Sequence, residues 1–118
     1  AEVIIVIGAN PTVNHPVAAT FIKNAAKAGA TLIVMDPRGQ ALSRHATHMI
    51  QFRPSSDVAL LNGMINTIIA EGLYDQAYVE SYTEGFDDLK ARPAEFTPER
   101  MAPICGIEAD CIRQMARV

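Results

Sequence analysis

Three short apolar runs, each broken by a polar loop, constrain the fold of this chain more than any other feature. Val3-Ile4-Ile5-Val6-Ile7 breaks into Gly8-Ala9-Asn10-Pro11, and Thr31-Leu32-Ile33-Val34-Met35 into Asp36-Pro37-Arg38. The third, Met49-Ile50-Gln51-Phe52, breaks into Arg53-Pro54-Ser55-Ser56-Asp57. Continuous β-branched runs such as residues 2–7 suit parallel strands buried on both faces. The segment between the first two runs has helical length. Pro16 suits a first turn behind an Asn14 or His15 cap. Ala18, Phe21, Ile22 and Ala25 fall at helical spacing, and Gly29 stops the helix. The result is a βαβ unit with parallel strands. Eleven residues, Asp36 to Ala46, precede the third run. A parallel crossover needs about a dozen, usually helical, so residues 39–45 are expected to form a short helix and the third strand to be parallel.

The remaining pattern is helical. Ser55 or Ser56 is placed to cap a helix whose first turn holds Asp57, an acid at the positive dipole end. Val58, Leu61, Ile65, Ile68 and Ile69 form its expected buried stripe, and Gly72 its end. Asp75 starts a short helix through Tyr78 and Val79, and Thr83 another carrying Phe86 and Leu89, ended or kinked by Pro93. Thr97-Pro98-Glu99 is a strong start signal, and a final helix carries Ile112 and Met115. The expected class is α/β: a Rossmann-like, three-layer domain with a short parallel sheet of about three strands. Residues 1–72 form a βαβ-type nucleotide-binding half and residues 73–118 a helical part. Neither terminus carries a start or capping signal, so an internal segment of a larger polypeptide is expected.

Composition narrows the function classes. The 118 residues are one domain's worth, and 49% hydrophobic with 19% charged residues excludes disorder. A net charge of −3 disfavours a nucleic-acid backbone as partner. No apolar run approaches the ~20 residues of a membrane span, and there is no secretory signal pattern. Cys105 and Cys111 do not form CxxC and have no second pair, so structural thiols in a reducing, cytoplasmic setting are expected. His15, His45 and His48 lack the spacing of a metal site, and no nucleophile elbow is present. No catalytic and no metal-ligating residue is therefore expected.

Binding is a different matter, because ligands of open α/β sheets sit outside the carboxyl ends of the strands. Gly8 and Asn10 lie in the first loop, which is not GxGxxG: one glycine permits close approach, but the usual pyrophosphate cradle is missing. Asp36 stands where a dinucleotide fold holds a ribose diol, and Arg38 is placed to grip a phosphate. Each also has a plain reading, as a helix cap and a surface ion pair. Asp57 is either a dipole-compensating acid or an acceptor for guanine N–H groups. Tyr74, Tyr78, Tyr82 and Phe86 recur every four residues, as packing or as an aromatic face for a partner.

Taken in order, Gly8-Ala9-Asn10-Pro11…His15-Pro16, Asp36-Pro37-Arg38, Pro54-Ser55-Ser56-Asp57-Val58-Ala59-Leu60-Leu61-Asn62, Glu71-Gly72-Leu73-Tyr74-Asp75…Tyr78-Val79, Thr83-Glu84-Gly85-Phe86, Thr97-Pro98-Glu99 and Cys105-Gly106-Ile107 resemble the molybdopterin oxidoreductase family over essentially the whole chain. The later stretch looks most like the large subunit of formate dehydrogenases, particularly the soluble NAD-linked type. The resemblance implies a molybdenum or tungsten atom held between two pyranopterin guanine dinucleotides, with this domain binding the nucleotide part of one. Carried over by position, Gly8 and Asn10 approach the pterin-side phosphates, Asp36 and Arg38 the ribose and phosphate, and Asp57 the guanine, with Pro54 and Ser56 as further cofactor-binding positions. Two departures stand out: Ser55 replaces the family's usual Gly, and Leu42 replaces a frequent Thr, a possible phosphate hydroxyl. Neither Cys105 nor Cys111 is followed by the His of the catalytic motif, and the iron–sulfur cysteines are absent here too. The implied whole enzyme oxidises formate to carbon dioxide and passes electrons to NAD. Its implied partners are the remaining domains of the same subunit and NAD- and flavin-binding electron-transfer subunits. A stand-alone NAD(P)-binding dehydrogenase domain and a subunit-interaction module are the competing readings.

Overall fold

A computed structural model describes residues 1–118. Strands β1 (Val3–Ile7), β2 (Thr31–Met35) and β3 (His48–Ile50) pair in that order. Both pairings are parallel, with Ile7 beside Met35 and Met35 beside Ile50. The three carboxyl ends therefore share one edge, and the loops that follow leave from adjacent positions. The third strand is reached through a 3-10 turn, Ala41–His45, which provides the crossover expected as a short helix.

Contacts divide the chain into two compact units, residues 1–54 with Val118 and residues 55–117. In the first unit, one face of the sheet packs Val6, Leu32 and Val34 against Leu42 of the 3-10 turn. Ile4, Met49, Ala46 and, from helix α2 (Pro16–Lys27), Ile22 and Ala26 complete the cluster. Leu42 is fully buried in this cluster, so its position is a core position.

Two expectations about burial change. β1 is an edge strand, and on the face away from the cluster Val3 and Ile5 are 40% and 46% exposed, not buried. β2, between two neighbours, carries the doubly buried pattern instead. On α2 the inward line is Ala19, Ile22 and Ala26, while Phe21 is 71% exposed. A single residue step rotates a helix face by about 100°, and Phe21 lies on the wrong side of that step. A short helix α1 (Pro11–Asn14) precedes α2, whose N-cap is His15. Gly29 closes α2 at φ +107, with the Ala30 N–H bonded to the Ala25 carbonyl, a Schellman-type end.

In the second unit, α3 (Asp57–Ala70) packs against α6 (Pro98–Cys105) and α7 (Ala109–Arg117). α3 thus belongs with the helices that follow it, and the units divide before Ser55 instead of at Gly72. Its buried residues are Leu60, Gly63, Met64 and Thr67. Val58, expected inside, is 65% exposed. Gly63 explains the rotation. A Cβ there would lie 3.1 Å from Ile112 Cγ2 and 3.4 Å from Met101 Cβ, so the missing side chain lets α6 and α7 approach α3 closely. Ile112 and Met115 are buried as expected.

The chain between α3 and α6 holds α4 (Gln76–Tyr82), α5 (Phe86–Ala91) and a 3-10 turn at Pro93–Glu95. Asp75 caps α4 by accepting from the Tyr78 N–H at 2.9 Å. Thr83 does not start α5. Its hydroxyl donates to the Val79 carbonyl at 2.7 Å and closes α4, and α5 begins after Gly85. Asn66 of α3 holds the Pro93 carbonyl at 2.6 Å, which returns the chain to the packed helices. No helix is long and apolar enough to cross a membrane.

Candidate nucleotide-type site at the strand ends

The loops after β1 and β2 are tied to each other by one side chain. The Gln40 Nε2 group donates to the Ala9 carbonyl at 2.9 Å and to Asp36 Oδ2 at 3.1 Å. Both partners are acceptors, so the amide orientation is settled by chemistry: the nitrogen must face them. Gln40 Oε1 is then buried with no donor against it. A buried acceptor without a partner is uncommon and costly, and a ligand N–H or O–H is one way to satisfy it.

Asp36 is only 6% exposed. Its Oδ1 accepts the Arg38 N–H at 2.7 Å, an Asx-type turn that shapes the loop. Its own N–H donates to the Ile50 carbonyl at 3.0 Å, extending the β2–β3 ladder past the strand end. A carboxylate has about four lone-pair positions, and these bonds use two of them. Asp36 therefore organises the loop and keeps acceptor capacity. It contacts Arg38 through the backbone, while the Arg38 side chain is exposed.

Gly8 stands at φ +60, and a Cβ there would meet nothing within 4 Å. The glycine is needed for the left-handed turn, not to relieve crowding. Its N–H is already bonded to the Met35 carbonyl at 2.9 Å, so this loop offers a ligand open space and not that donor. Asn10 caps α1 through its backbone carbonyl, which accepts from the Val13 and Asn14 N–H groups. Its Oδ1 accepts from the Thr12 hydroxyl, which leaves the two Nδ2 donors uncommitted. Pro54 is exposed in the loop after β3.

Ser56 and Asp57 belong to the second unit. Ser56 is buried at the N-cap of α3 but makes no side-chain capping bond. Its carbonyl accepts from the Leu60 N–H at 3.0 Å and from Cys105 Sγ at 3.6 Å. Asp57 is exposed at the first position of α3, where the unpaired helix N–H groups favour an anion. Ser55 has φ +64, the one non-glycine residue in the left-handed region. That conformation favours glycine over any other residue. Cys105 is fully buried, and burial pushes the Cys111 thiol up. Neither is a nucleophile poised for chemistry.

Charge distributes unevenly between the units. Residues 1–54 carry five Lys or Arg against two acids, while residues 55–117 carry five against eleven. The overall −3 thus conceals a first unit of net +3, an electrostatic setting suited to phosphates. A shallow depression of about 550 Å³ lies elsewhere, against α1–α2, lined by Asn14, His15, Pro16, Val17, Ala18 and Phe21. It shares no residue with the strand-end loops and offers little polar chemistry.

Gln40 went unnoticed in the sequence. The available signal was weak: it is the one amide side chain between Asp36 and Ala46. The strand-end set consists of hydrogen-bonding groups and one exposed cation, with no nucleophile–base pair.

A family model described as molybdopterin oxidoreductase matches residues 1–113. Formate dehydrogenase H of Escherichia coli is 42% identical over 117 residues, 99% of this chain and 16% of that protein. The F420-dependent formate dehydrogenase subunit alpha of Methanocaldococcus jannaschii is 38% identical over 118 residues, all of this chain and 18% of that protein. Among solved structures, acetylene hydratase from Pelobacter acetylenicus superposes with a TM-score of 0.83 at 38% identity, covering 98% of this chain and 16% of that one. The chain spans about a sixth of the length of these relatives.

Proposed function

The chain belongs to the molybdopterin oxidoreductase family, and on that premise we propose that its strand-end loops hold the nucleotide end of a molybdopterin guanine dinucleotide in a formate dehydrogenase. The observation that carries the proposal is the buried Gln40 Oε1 without a donor. It sits in the side chain that joins the Ala9 and Asp36 loops, where an open parallel α/β sheet presents its ligand edge. A ribose hydroxyl or a guanine N–H supplies the missing donor.

In this reading each residue has a holding role. Gly8 keeps the first turn open, Asn10 Nδ2 donates to a phosphate or pterin-side oxygen, and Arg38 pairs with phosphate charge. Asp36 keeps the second loop in shape and accepts from the ribose with its remaining lone pairs. Pro54 and Ser56 shape the third loop, and Asp57 accepts guanine N–H groups. The bound group, with its molybdenum or tungsten, supplies the two-electron chemistry that converts formate to carbon dioxide. This chain's residues anchor, orient and neutralise its nucleotide end. The remaining domains of the same large subunit, with iron–sulfur clusters and electron-transfer subunits, complete the proposed enzyme. NAD as the acceptor is not carried into the proposal, because the M. jannaschii relative is named as F420-dependent and no residue here bears on the choice.

An amide chemical-shift titration with GDP, run against NAD, tests the reading. Saturable GDP shifts at Gly8, Asn10, Arg38, Gln40 and Asp57, absent with NAD, are expected. Arg38→Ala should weaken GDP about tenfold, the loss of one charge-assisted bond. A stronger response to NAD would transfer the site to the NAD(P)-binding alternative. Shifts confined to other residues would remove these loops from the site.

A further inference from the structure

Residues 71–92 are helical for more than half their length yet almost nothing covers them. Tyr74, Val79 and Phe86 are half-buried and every other residue in the stretch is exposed. α4 and α5 contain no buried residue. Helices of seven and six residues are marginal in water without tertiary packing. One ring contact, Tyr74 with Phe86 at 4.9 Å, holds the start of α5 to the residue before the α4 cap. A second, Tyr78 with Tyr82 at 4.9 Å, lies outside, with the rings 60% and 75% exposed. Two large rings in tilted contact, left in water at adjacent turns of one helix, form an uncovered face.

Charge indicates what covers it. No Lys, Arg or His occurs between Pro54 and Leu89, whereas Asp75, Glu80, Glu84, Asp87 and Asp88 surround the two tyrosines in sequence, all exposed. We propose that the Tyr78–Tyr82 face of α4, with the acids of α4 and α5, docks an arginine-bearing basic segment of a partner protein. A planar guanidinium stacks on an aromatic face and pairs with a carboxylate at the same time. A lysine ammonium takes the charge but is more strongly hydrated and stacks less well. The inference is independent of the cofactor reading, since it uses none of the strand-end residues.

The test uses two capped eight-residue peptides, alternating glycine with arginine or glycine with lysine, titrated into the protein. Isothermal titration calorimetry reads the binding, because replacing Tyr78 and Tyr82 leaves one of the three tyrosines and tyrosine emission would be lost with the face it reports. The arginine peptide should bind about two- to fivefold more tightly than the lysine peptide, the range of an exposed cation–π contact. Y78A/Y82A should abolish that preference while Y78F/Y82F keeps it. E80Q/E84Q/D87N/D88N should weaken both peptides. All these side chains are exposed, and circular dichroism checks that each variant stays helical. Equal binding of the two peptides to the unaltered protein, or a preference that survives Y78A/Y82A, overturns the proposal without reference to any variant's fold. Self-association in sedimentation that Y78A/Y82A abolishes overturns it too, in favour of a second copy as the occupant.

Discussion

Gln40 Nε2 lies 3.1 Å from Asp36 Oδ2, and through this bond a buried carboxylate and a half-buried amide share responsibility for the ligand edge of the sheet. Asp36, the residue most visible in the sequence, uses two of its about four acceptor positions to shape its own loop. Gln40, which no motif announced, carries the acceptor that the protein leaves unsatisfied.

Gln40→Ala removes two hydrogen bonds that join the first two loops. It also removes the unsatisfied Oε1, which offsets part of the loss. A decrease of about 1–2 kcal/mol in unfolding free energy is expected from denaturant titration. GDP shifts at Asn10 should shrink together with those at Asp36, since the two loops would no longer move as one. Undiminished shifts at both would show that Gln40 does not couple them.

Glu71 and Arg117 form a two-pronged pair, with Arg117 Nε and Nη2 at 2.8 and 2.6 Å from the two carboxylate oxygens. Hydrogen bonding to Arg117 lowers the Glu71 pKa below its usual 4.5. A depressed folded-state pKa stabilises the protein above the unfolded value, and the benefit disappears as pH falls through the folded one. Glu71→Gln should therefore be less stable than the native chain at pH 7 and converge with it as the pH falls through the folded-state pKa. A constant gap between the two denaturation midpoints would show that the bridge contributes nothing specific to charge. The effect is expected to be small, because the pair is largely exposed.

Gly63→Val inserts a branched side chain where even a Cβ would stand 3.1 Å from the buried Ile112. Overpacking of this kind costs about 1–3 kcal/mol, and helix propensity returns only a fraction of that. Thermal unfolding should show a clear drop in Tm. An unchanged Tm would mean that α6 and α7 move apart at little cost.

Ser55→Gly should stabilise the chain by about 0.5–1 kcal/mol. Relief of a non-glycine residue at φ +64 outweighs the extra flexibility of glycine in the unfolded chain. Equilibrium denaturation measures it, and a destabilised variant would assign the Ser55 side chain a contact worth more than the strain.

The parts legible in the sequence are those set by local chemistry. Parallel strands came from β-branched runs with a helix-length connection between them. Asp75 as a cap, Gly29 and Gly72 as helix ends, and the loops at the strand termini followed from backbone preference. Burial was less legible wherever it depended on a neighbour. Val3 and Ile5 look like Ile33 and Met35 in the sequence, yet the first pair lies at the sheet edge, half-exposed, and the second is buried. The inward faces of α2 and α3 were each misplaced because apolar residues outnumber the positions that a helix interface covers. Gly63 was invisible for the complementary reason, since its contribution is an absence of volume that matters only when Met101 and Ile112 arrive.

By itself, then, the sequence determined the strands, their order along the chain, the turn geometry and the family. Those depend on steric preferences and apolar patterning within a few residues. Tertiary structure alone decided which strand is the edge, which helix faces are covered, and that Gln40 joins the Ala9 loop to Asp36. Each of these is a contact between residues distant in sequence, and no local preference encodes the partner.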